Sequence, residues 1–241
     1  MVASGVRRGG ESRLAGRKPE EGMRMGVVVN LRGTAGSGKT ELVRRVLAEY
    51  GWPAGGGVEP LRREGRSRPL GYRLVHPAGG NPLLVIGQYG GTRGGCDTIG
   101  KGDGGLEGVF RIAGDFAAAG CDVLLEGLVL SAEHRLSGDF ARGHGLHVLR
   151  LDTPVEQSIR NLVARRRAGP GSRPHITRKI MAERDAVTAA CARLAGVATV
   201  EALPFEEAHR RVRTLLGLRG DEARIDPPGR IGSSAQATCG V

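Results

Sequence analysis

The sequence has few aromatic residues and few cysteines. Trp, Tyr and Phe make up 3% of the 241 residues, too few for the row of aromatic side chains on which single-stranded nucleic acids stack without sequence preference. The four cysteines, Cys96, Cys121, Cys191 and Cys239, are far apart and lack the C-x-x-C spacing of zinc and redox sites. We therefore expect reduced thiols.

Long apolar runs are also absent. A membrane-spanning helix needs about 18 or more consecutive apolar residues, and a secretory signal peptide needs an apolar core near its start. The sequence contains neither, which predicts a cytoplasmic protein.

The length predicts one α/β domain with loose ends. A chain of 241 residues can bury a substantial core. Residues 1–22 and 218–241 are poor in core-forming side chains, so we expect both to be disordered around a domain at 23–217. Met23 and Met25 lie just before the first predicted strand, and the sequence alone leaves the true start site open.

Acidic residues are too few to balance the basic ones, and the formal net charge is +11. Two segments carry most of the excess: residues 59–73 hold five Arg against two Glu, and residues 150–184 hold nine Arg or Lys against three acids. Such clusters suit phosphate-bearing substrates or the backbone of DNA. The alternative is a solvated surface.

A glycine-rich segment between a predicted strand and a predicted helix is the most specific motif. Residues 33–40 read GTAGSGKT and fit G-x-x-x-x-G-K-[ST] at every fixed position. The β-branched run before them is typical of a strand buried on both faces, and the apolar spacing after them predicts a helix. The alternative is an ordinary turn in a chain with 41 glycines. The predicted nucleotide-binding residues are Gly33, Thr34, Ala35, Gly36, Ser37, Gly38, Lys39 and Thr40.

Each part of this motif has a chemical task. Backbone N–H groups and the start of the helix would face phosphate oxygens. Lys39 would reach the β- and γ-phosphates of ATP, and Thr40 would offer its hydroxyl to Mg²⁺. Glu126 ends a later buried run, Val123 to Leu125, and is the predicted second contact to Mg²⁺.

The rest of the pattern alternates strands with helices around a parallel sheet. We interpret residues 52–68 as an irregular Gly/Arg-rich insertion, followed by a hairpin around residues 72–76 and 83–87. Thr153 is predicted to cap the next helix, with Glu156 completing a capping box. Ligands of such sheets bind beyond the carboxyl ends of the strands, so GTAGSGKT, the GGCDTI segment and Glu126 should meet at one edge.

These segments resemble a known group of enzymes. GTAGSGKT, the strand ending LLEG, LDTPVEQSIRNLVARRR and the closing LPFEEAHRRVRTLLG are similar to those of small P-loop kinases. With YGGTRGGCDTI, the set resembles phage-type P-loop kinases, some of which are assigned to phosphorylation of hydroxymethylated pyrimidines in DNA. The resemblance covers roughly residues 26–217. It implies a P-loop NTPase-type sheet and transfer of the γ-phosphate of ATP to a hydroxyl.

The resemblance also implies catalytic roles. Arg165, Arg166 and Arg167 would close over the transferring phosphate as a lid, with Arg173 in reserve; alternatively they are exposed charges at a helix C-terminus. Asp97 would orient or deprotonate the acceptor hydroxyl, unless it only caps its own loop. Asp103 and Glu126 are the alternative bases. 

Three acceptor classes stay open from the sequence: a base in DNA, a free nucleoside or a small metabolite. A regulatory P-loop ATPase or a nucleic-acid-binding module is a further possibility. A GTPase is disfavoured because no N-K-x-D guanine motif follows the glycine loop. The sequence does not reveal the oligomeric state.

Overall fold

The computed structural model describes residues 25–91 and 94–218. Within these ranges seven strands and seven α-helices form a mixed, mostly parallel sheet covered by helices. The strands are β1 (Val28–Arg32), β2 (Val58–Leu61), β3 (Gly71–Leu74), β4 (Leu83–Ile86), β5 (Asp122–Glu126), β6 (His147–Leu151) and β7 (Thr199–Leu203). The helices are α1 (Lys39–Glu49), α2 (Gly105–Ala118), α3 (Leu128–Ala132), α4 (Arg135–His144), α5 (Val155–Arg166), α6 (Arg173–Leu194) and α7 (Phe205–Leu215).

The strand order is β2-β3-β4-β5-β1-β6-β7, and only β3 runs against the other strands. β1, fully buried, lies between β5 and β6 and pairs in parallel with both. The α/β fold with a P-loop NTPase-type sheet is therefore confirmed, as is the hairpin of β3 and β4. Because β4, β5, β1, β6 and β7 are parallel, the segments that follow them emerge at one edge.

The insertion at residues 52–68 is less irregular than expected. Val58–Leu61 forms the edge strand β2, antiparallel to β3, with Pro60 opposite Tyr72. Proline donates no backbone hydrogen bond, so within sheets it is tolerated on edge strands. An edge strand that contains proline therefore lacks the sequence pattern typical of a strand.

Each face of the sheet has its own apolar cluster. α1 and α7 pack on one face, whereas α2, α4 and the second half of α6 pack on the other. A third, smaller cluster joins Ala35 of the glycine loop to apolar residues of α5 and of the first half of α6: Val155, Ile159, Leu162, Ile176 and Ile180. This cluster seats α5 and α6 directly on the glycine loop.

Leu218, at which the predicted tail 218–241 begins, is buried in the core. The rest of that tail and the extension predicted at residues 1–22 lie outside the described residues. None of the helices in the described ranges is long and apolar enough to cross a membrane.

Candidate active site

The glycine loop between β1 and α1 has a conformation that requires its glycines. Gly38, directly before α1, has φ +100°, in the left-handed region that residues with side chains rarely adopt. At Gly36, which has φ +81°, an added Cβ would lie 2.4 Å from the Ser158 carbonyl oxygen. A larger residue at Gly36 would push the loop away from its support on α5, and a Cβ at Gly38 would lie 3.0 Å from the Phe205 ring of α7.

Lys39 is buried within this loop. Its ammonium donates hydrogen bonds to the carbonyl oxygens of Gly33 (2.7 Å) and Thr34 (2.9 Å). Burial lowers the pKa of Lys39, nearby carboxylates including Glu126 oppose the lowering, and repulsion from Arg165 adds to it. The Ser37 hydroxyl is also buried, with no hydrogen-bond partner among the described residues. A lysine, an orphaned hydroxyl and a bent backbone fit a polyphosphate.

Thr40 and Glu126 form an oxygen pair beside the loop. The Thr40 hydroxyl donates to Glu126 Oε1 at 3.0 Å. Glu126 ends β5 opposite Leu31 and is 2% exposed. Burial raises the pKa of its carboxyl, while Lys39 and Thr40 oppose the rise. A hydroxyl and a single carboxylate suit Mg²⁺, which binds few protein ligands and keeps water and phosphate oxygens in its shell.

The glycine-rich loop after β4 passes directly over this pair. A Cβ added to Gly95 would lie 2.5 Å from Glu126 Oε1, and one added to Gly94 would lie 2.8 Å from Thr40 Cγ2. Only glycines allow so close an approach. The prediction that GTAGSGKT, GGCDTI and Glu126 meet at one edge is confirmed.

Asp97 is anchored by the N-terminus of α3. Its Oδ2 accepts the Leu128 amide hydrogen at 2.6 Å and its Oδ1 accepts that of Val129 at 3.1 Å. The residue is exposed, in contrast to Glu126. The capping alternative thus has direct support, although each carboxylate oxygen keeps a further lone pair for a substrate.

Arginines of the segment 59–73 hold the same loop. Arg66 forms an ion pair with Asp103 (3.0 Å) and donates to the Thr98 carbonyl oxygen (3.0 Å). Arg63 also contacts Asp103, at 3.3 Å. Asp103, one of the alternative bases, is therefore committed to two arginines and is a poor candidate for proton transfer.

Two side chains of α5 and of the segment before it support the glycine loop by hydrogen bonds that the sequence did not predict. The prediction that Thr153 caps α5 is wrong: its hydroxyl donates to the Ser37 carbonyl oxygen at 2.8 Å, and no side chain caps the helix. Asn161 donates to the Gly36 carbonyl oxygen at 2.8 Å. Because a loop carbonyl lies within reach, Thr153 stabilises the glycine loop instead of its own helix.

The three predicted lid arginines lie at the C-terminal end of α5. Arg165, Arg166 and Arg167 are all exposed, and none forms an ion pair with a carboxylate of the described residues. Arg167 ends the helix with φ +50°. Of the three, Arg165 is near enough to the glycine loop to repel Lys39 and lower its pKa.

Glu183 of α6 is a site residue that sequence reasoning missed. Its Oε2 accepts the Ala35 amide hydrogen, within the glycine loop, at 2.7 Å. No pattern marked this acid, because a glutamate on a charged helix is typical of a solvated face.

A cavity of 440 Å³ lined by His144, Leu146 and Thr199 lies at the amino ends of the strands, at the opposite edge of the sheet from the glycine loop.

Comparison with known proteins identifies the family. No family model matches the chain. The 5-hmdU DNA kinase of Pseudomonas phage PaMx11 is 36% identical over 179 residues, which cover 73% of this chain and 89% of that protein. The identity covers nearly the whole of that relative. The glycine loop, the buried acid and the parallel strands also lie where a P-loop kinase needs them. The chain belongs to the family of the phage 5-hmdU DNA kinase and is a phosphotransferase.

Proposed function

We propose that the chain transfers the γ-phosphate of ATP to the hydroxymethyl group of 5-hmdU in DNA. The observation that carries the proposal is the 36% identity over 89% of a 5-hmdU DNA kinase. Support comes from the meeting of Lys39, Thr40 and Glu126 at the sheet edge where ligands of parallel sheets bind.

The donor would lie along the glycine loop. Amides of the loop and of the first turn of α1 would bind the phosphates, and Lys39 would exchange its bonds to the carbonyls of Gly33 and Thr34 for phosphate oxygens. Thr40 and Glu126 would hold Mg²⁺, which when bound neutralises charge on the phosphates.

The acceptor would be activated by Asp97. The hydroxyl oxygen forms a bond to the γ-phosphorus, the bond from that phosphorus to the bridging oxygen of ADP breaks, and the hydroxyl proton goes to the carboxylate. The amides of Leu128 and Val129 fix this carboxylate in one orientation, which preserves the alignment that transfer needs. Glu126 is the weaker choice because it is buried beside Thr40.

Positive charge would then act in two places. At least one of Arg165, Arg166 and Arg167 would contact the transferring phosphoryl group, because a cation there stabilises the charge of the transition state. Exposed arginines in both basic segments, such as Arg62, Arg68 and Arg173, would bind the phosphates of DNA.

A labelled-phosphate transfer assay with a panel of acceptors tests the function. The panel contains duplex DNA with 5-hmdU, the same duplex with thymidine, free 5-hmdU nucleoside and simple sugars. Thymine differs from the modified base only by lacking the hydroxyl, so it is the matched control. We expect label only in the 5-hmdU duplex. Label in the free nucleoside or a sugar would indicate a small-molecule kinase, and ATP loss that is equal with and without acceptor would indicate an ATPase.

A further inference from the structure

The carboxylate of Glu183 on α6 lies against the glycine loop, at a position that would also suit a phosphate oxygen. The Ala35 amide, third in GTAGSGKT, donates its hydrogen to the Glu183 carboxylate at 2.7 Å. The Glu183 side chain is 15% exposed. Its second oxygen, Oε1, is buried and accepts no hydrogen bond among the described residues. The nearest cation to that oxygen is Lys179 on the same helix, at 3.8 Å.

Ala35 lies at the end of the loop where the terminal phosphate would bind. The Lys39 ammonium contacts the carbonyl oxygens of Gly33 and Thr34, the two residues that precede Ala35. In loops of this motif the lysine reaches the β- and γ-phosphates. The amide that Glu183 engages is therefore next to the position of the γ-phosphate.

A carboxylate and a γ-phosphate cannot share this place at low cost. Both are anions, and two like charges at short range in a partly buried site repel each other strongly. The contact of Glu183 is also a strong one, because a hydrogen bond from an N–H group to a charged acceptor is roughly twice as strong as one to a neutral acceptor.

We propose that Glu183 competes with the γ-phosphate of ATP for the Ala35 amide, so that binding of a triphosphate and the placement of α6 are coupled. The proposal rests on the ATP site of the proposed function. Ala35 packs in one apolar cluster with Ile176 and Ile180 of α6, so the helix that carries Glu183 contacts the loop directly. A ligand that displaces Glu183 therefore acts on α6.

The test compares nucleotide affinities of three proteins by calorimetry. Glu183→Gln keeps an oxygen that can accept the Ala35 amide but removes the charge. Asp185→Asn, at an exposed position of the same helix, removes the same charge and is the matched control. We expect Glu183→Gln to bind ATP at least about fivefold more tightly, the lower end of couplings between sites, and to leave ADP affinity within about twofold.

Unchanged or weaker ATP binding by Glu183→Gln would overturn the proposal and make Glu183 a brace of the loop. Equal gains for ATP and ADP, or an equal gain in Asp185→Asn, would overturn it as well, because the effect would be one of general charge. If Glu183→Gln melts below the unsubstituted protein, Glu183→Ala provides the second measurement with the same expectation. Failure of the unsubstituted protein to bind ATP would contradict the proposed function instead.

Hydrogen exchange gives the second readout. With the unsubstituted protein, ATP but not ADP should change the exchange of amides in α6, residues 173–194. In Glu183→Gln the difference between the two nucleotides should shrink. Equal exchange of α6 with ATP and ADP in the unsubstituted protein would contradict the coupling.

Discussion

The two basic segments, which look alike in sequence, behave differently in the structure. In the first segment, residues 59–73, Arg66 is 15% exposed and binds Asp103 and the Thr98 carbonyl oxygen. In the second, residues 150–184, Arg165, Arg166 and Arg167 stand exposed at the end of α5. Part of the charge of the first segment thus holds the loop of Asp97, whereas these three arginines of the second segment are exposed.

This difference separates arginines that form contacts within the protein from exposed arginines that are accessible to a ligand. A charge count assigns both segments to phosphate contacts. The contacts of Arg66 with Asp103 and Thr98 instead give this arginine a role in holding the loop. Reversing Arg62, Arg63, Arg66 and Arg68 together would mix lost DNA contacts with a damaged site. Arg62 and Arg68, which are exposed, are the informative positions in this segment.

The largest expected effect is at the second segment. Replacing Arg165, Arg166 and Arg167 by Ala one at a time should reveal at least one variant with kcat lowered about 10³-fold, the lower end of what an arginine at a transferring phosphoryl group contributes. Single-turnover transfer to 5-hmdU DNA measures it. Arg210→Ala, on the exposed face of α7, is the matched control and should retain kcat. If all three single variants and the triple variant keep normal kcat, the lid assignment is wrong.

The next effect concerns the loop that the first segment positions. Asp97→Asn should lower kcat by roughly 10²-fold, the scale of general-base removal, and leave ATP affinity unchanged. Asn has one carbonyl oxygen for the two amides of Leu128 and Val129, so some stability is also lost. Melting temperature must therefore be measured with kcat.

The two readouts separate the roles of Asp97. A lower melting temperature with near-normal kcat would leave Asp97 as a cap of α3 and transfer the base role to Glu126. A loss of ATP and Mg²⁺ binding would instead place Asp97 on the metal side.

A smaller effect tests the scaffold role directly. Arg66→Met removes one of the two arginine partners of Asp103 and the donor to the Thr98 carbonyl oxygen. It should lower the free energy of unfolding by about 1.5–3 kcal/mol, the range for hydrogen bonds to charged groups. Arg68→Met removes an exposed charge in the same segment and should have little effect. Denaturant unfolding compares the two. Equal stabilities would show that the two arginines are equivalent and that the proposed contrast within the first segment is wrong.

The smallest effect should come from Arg62 and Arg68. The double Ala variant should weaken binding to duplex DNA and reduce the slope of log K against log salt by about 2, one for each lost phosphate contact. ATP affinity should stay the same. An unchanged slope would remove this segment from the DNA interface and leave residues 150–184 as the remaining candidate.

How far the sequence predicts the fold depends on how local the signal is. The glycine loop was predictable because its motif, the strand before it and the helix after it are all local. β2 was not, because Pro60 and the surrounding Gly and Arg disguise an edge strand that exists only by pairing with β3. Helices α3 and α4 were not predicted either, and α3 is only five residues long.

The site was predictable in its chemistry and less so in its contacts. Glycines at 94 and 95 and the acid at 126 followed from strand ends and a shared edge. The bonds of Thr153 to Ser37 and of Glu183 to Ala35 join residues 116 and 148 positions apart, and no local pattern announces such pairs. Arg32 illustrates the same limit: it is fully buried, and its guanidinium donates to the Ser131 carbonyl oxygen and the Ser137 hydroxyl.

The central claim is tested most directly by transfer of labelled γ-phosphate from ATP to duplex DNA containing 5-hmdU. The assay compares the unsubstituted protein with Lys39→Ala. We predict rapid labelling of the modified duplex, no labelling of the thymidine duplex, and loss of transfer in a Lys39→Ala variant that still folds. Lys101→Ala, which removes an exposed lysine outside the glycine loop, should label normally. Normal transfer by a folded Lys39→Ala would contradict the account, because the glycine loop would then have no part in the reaction.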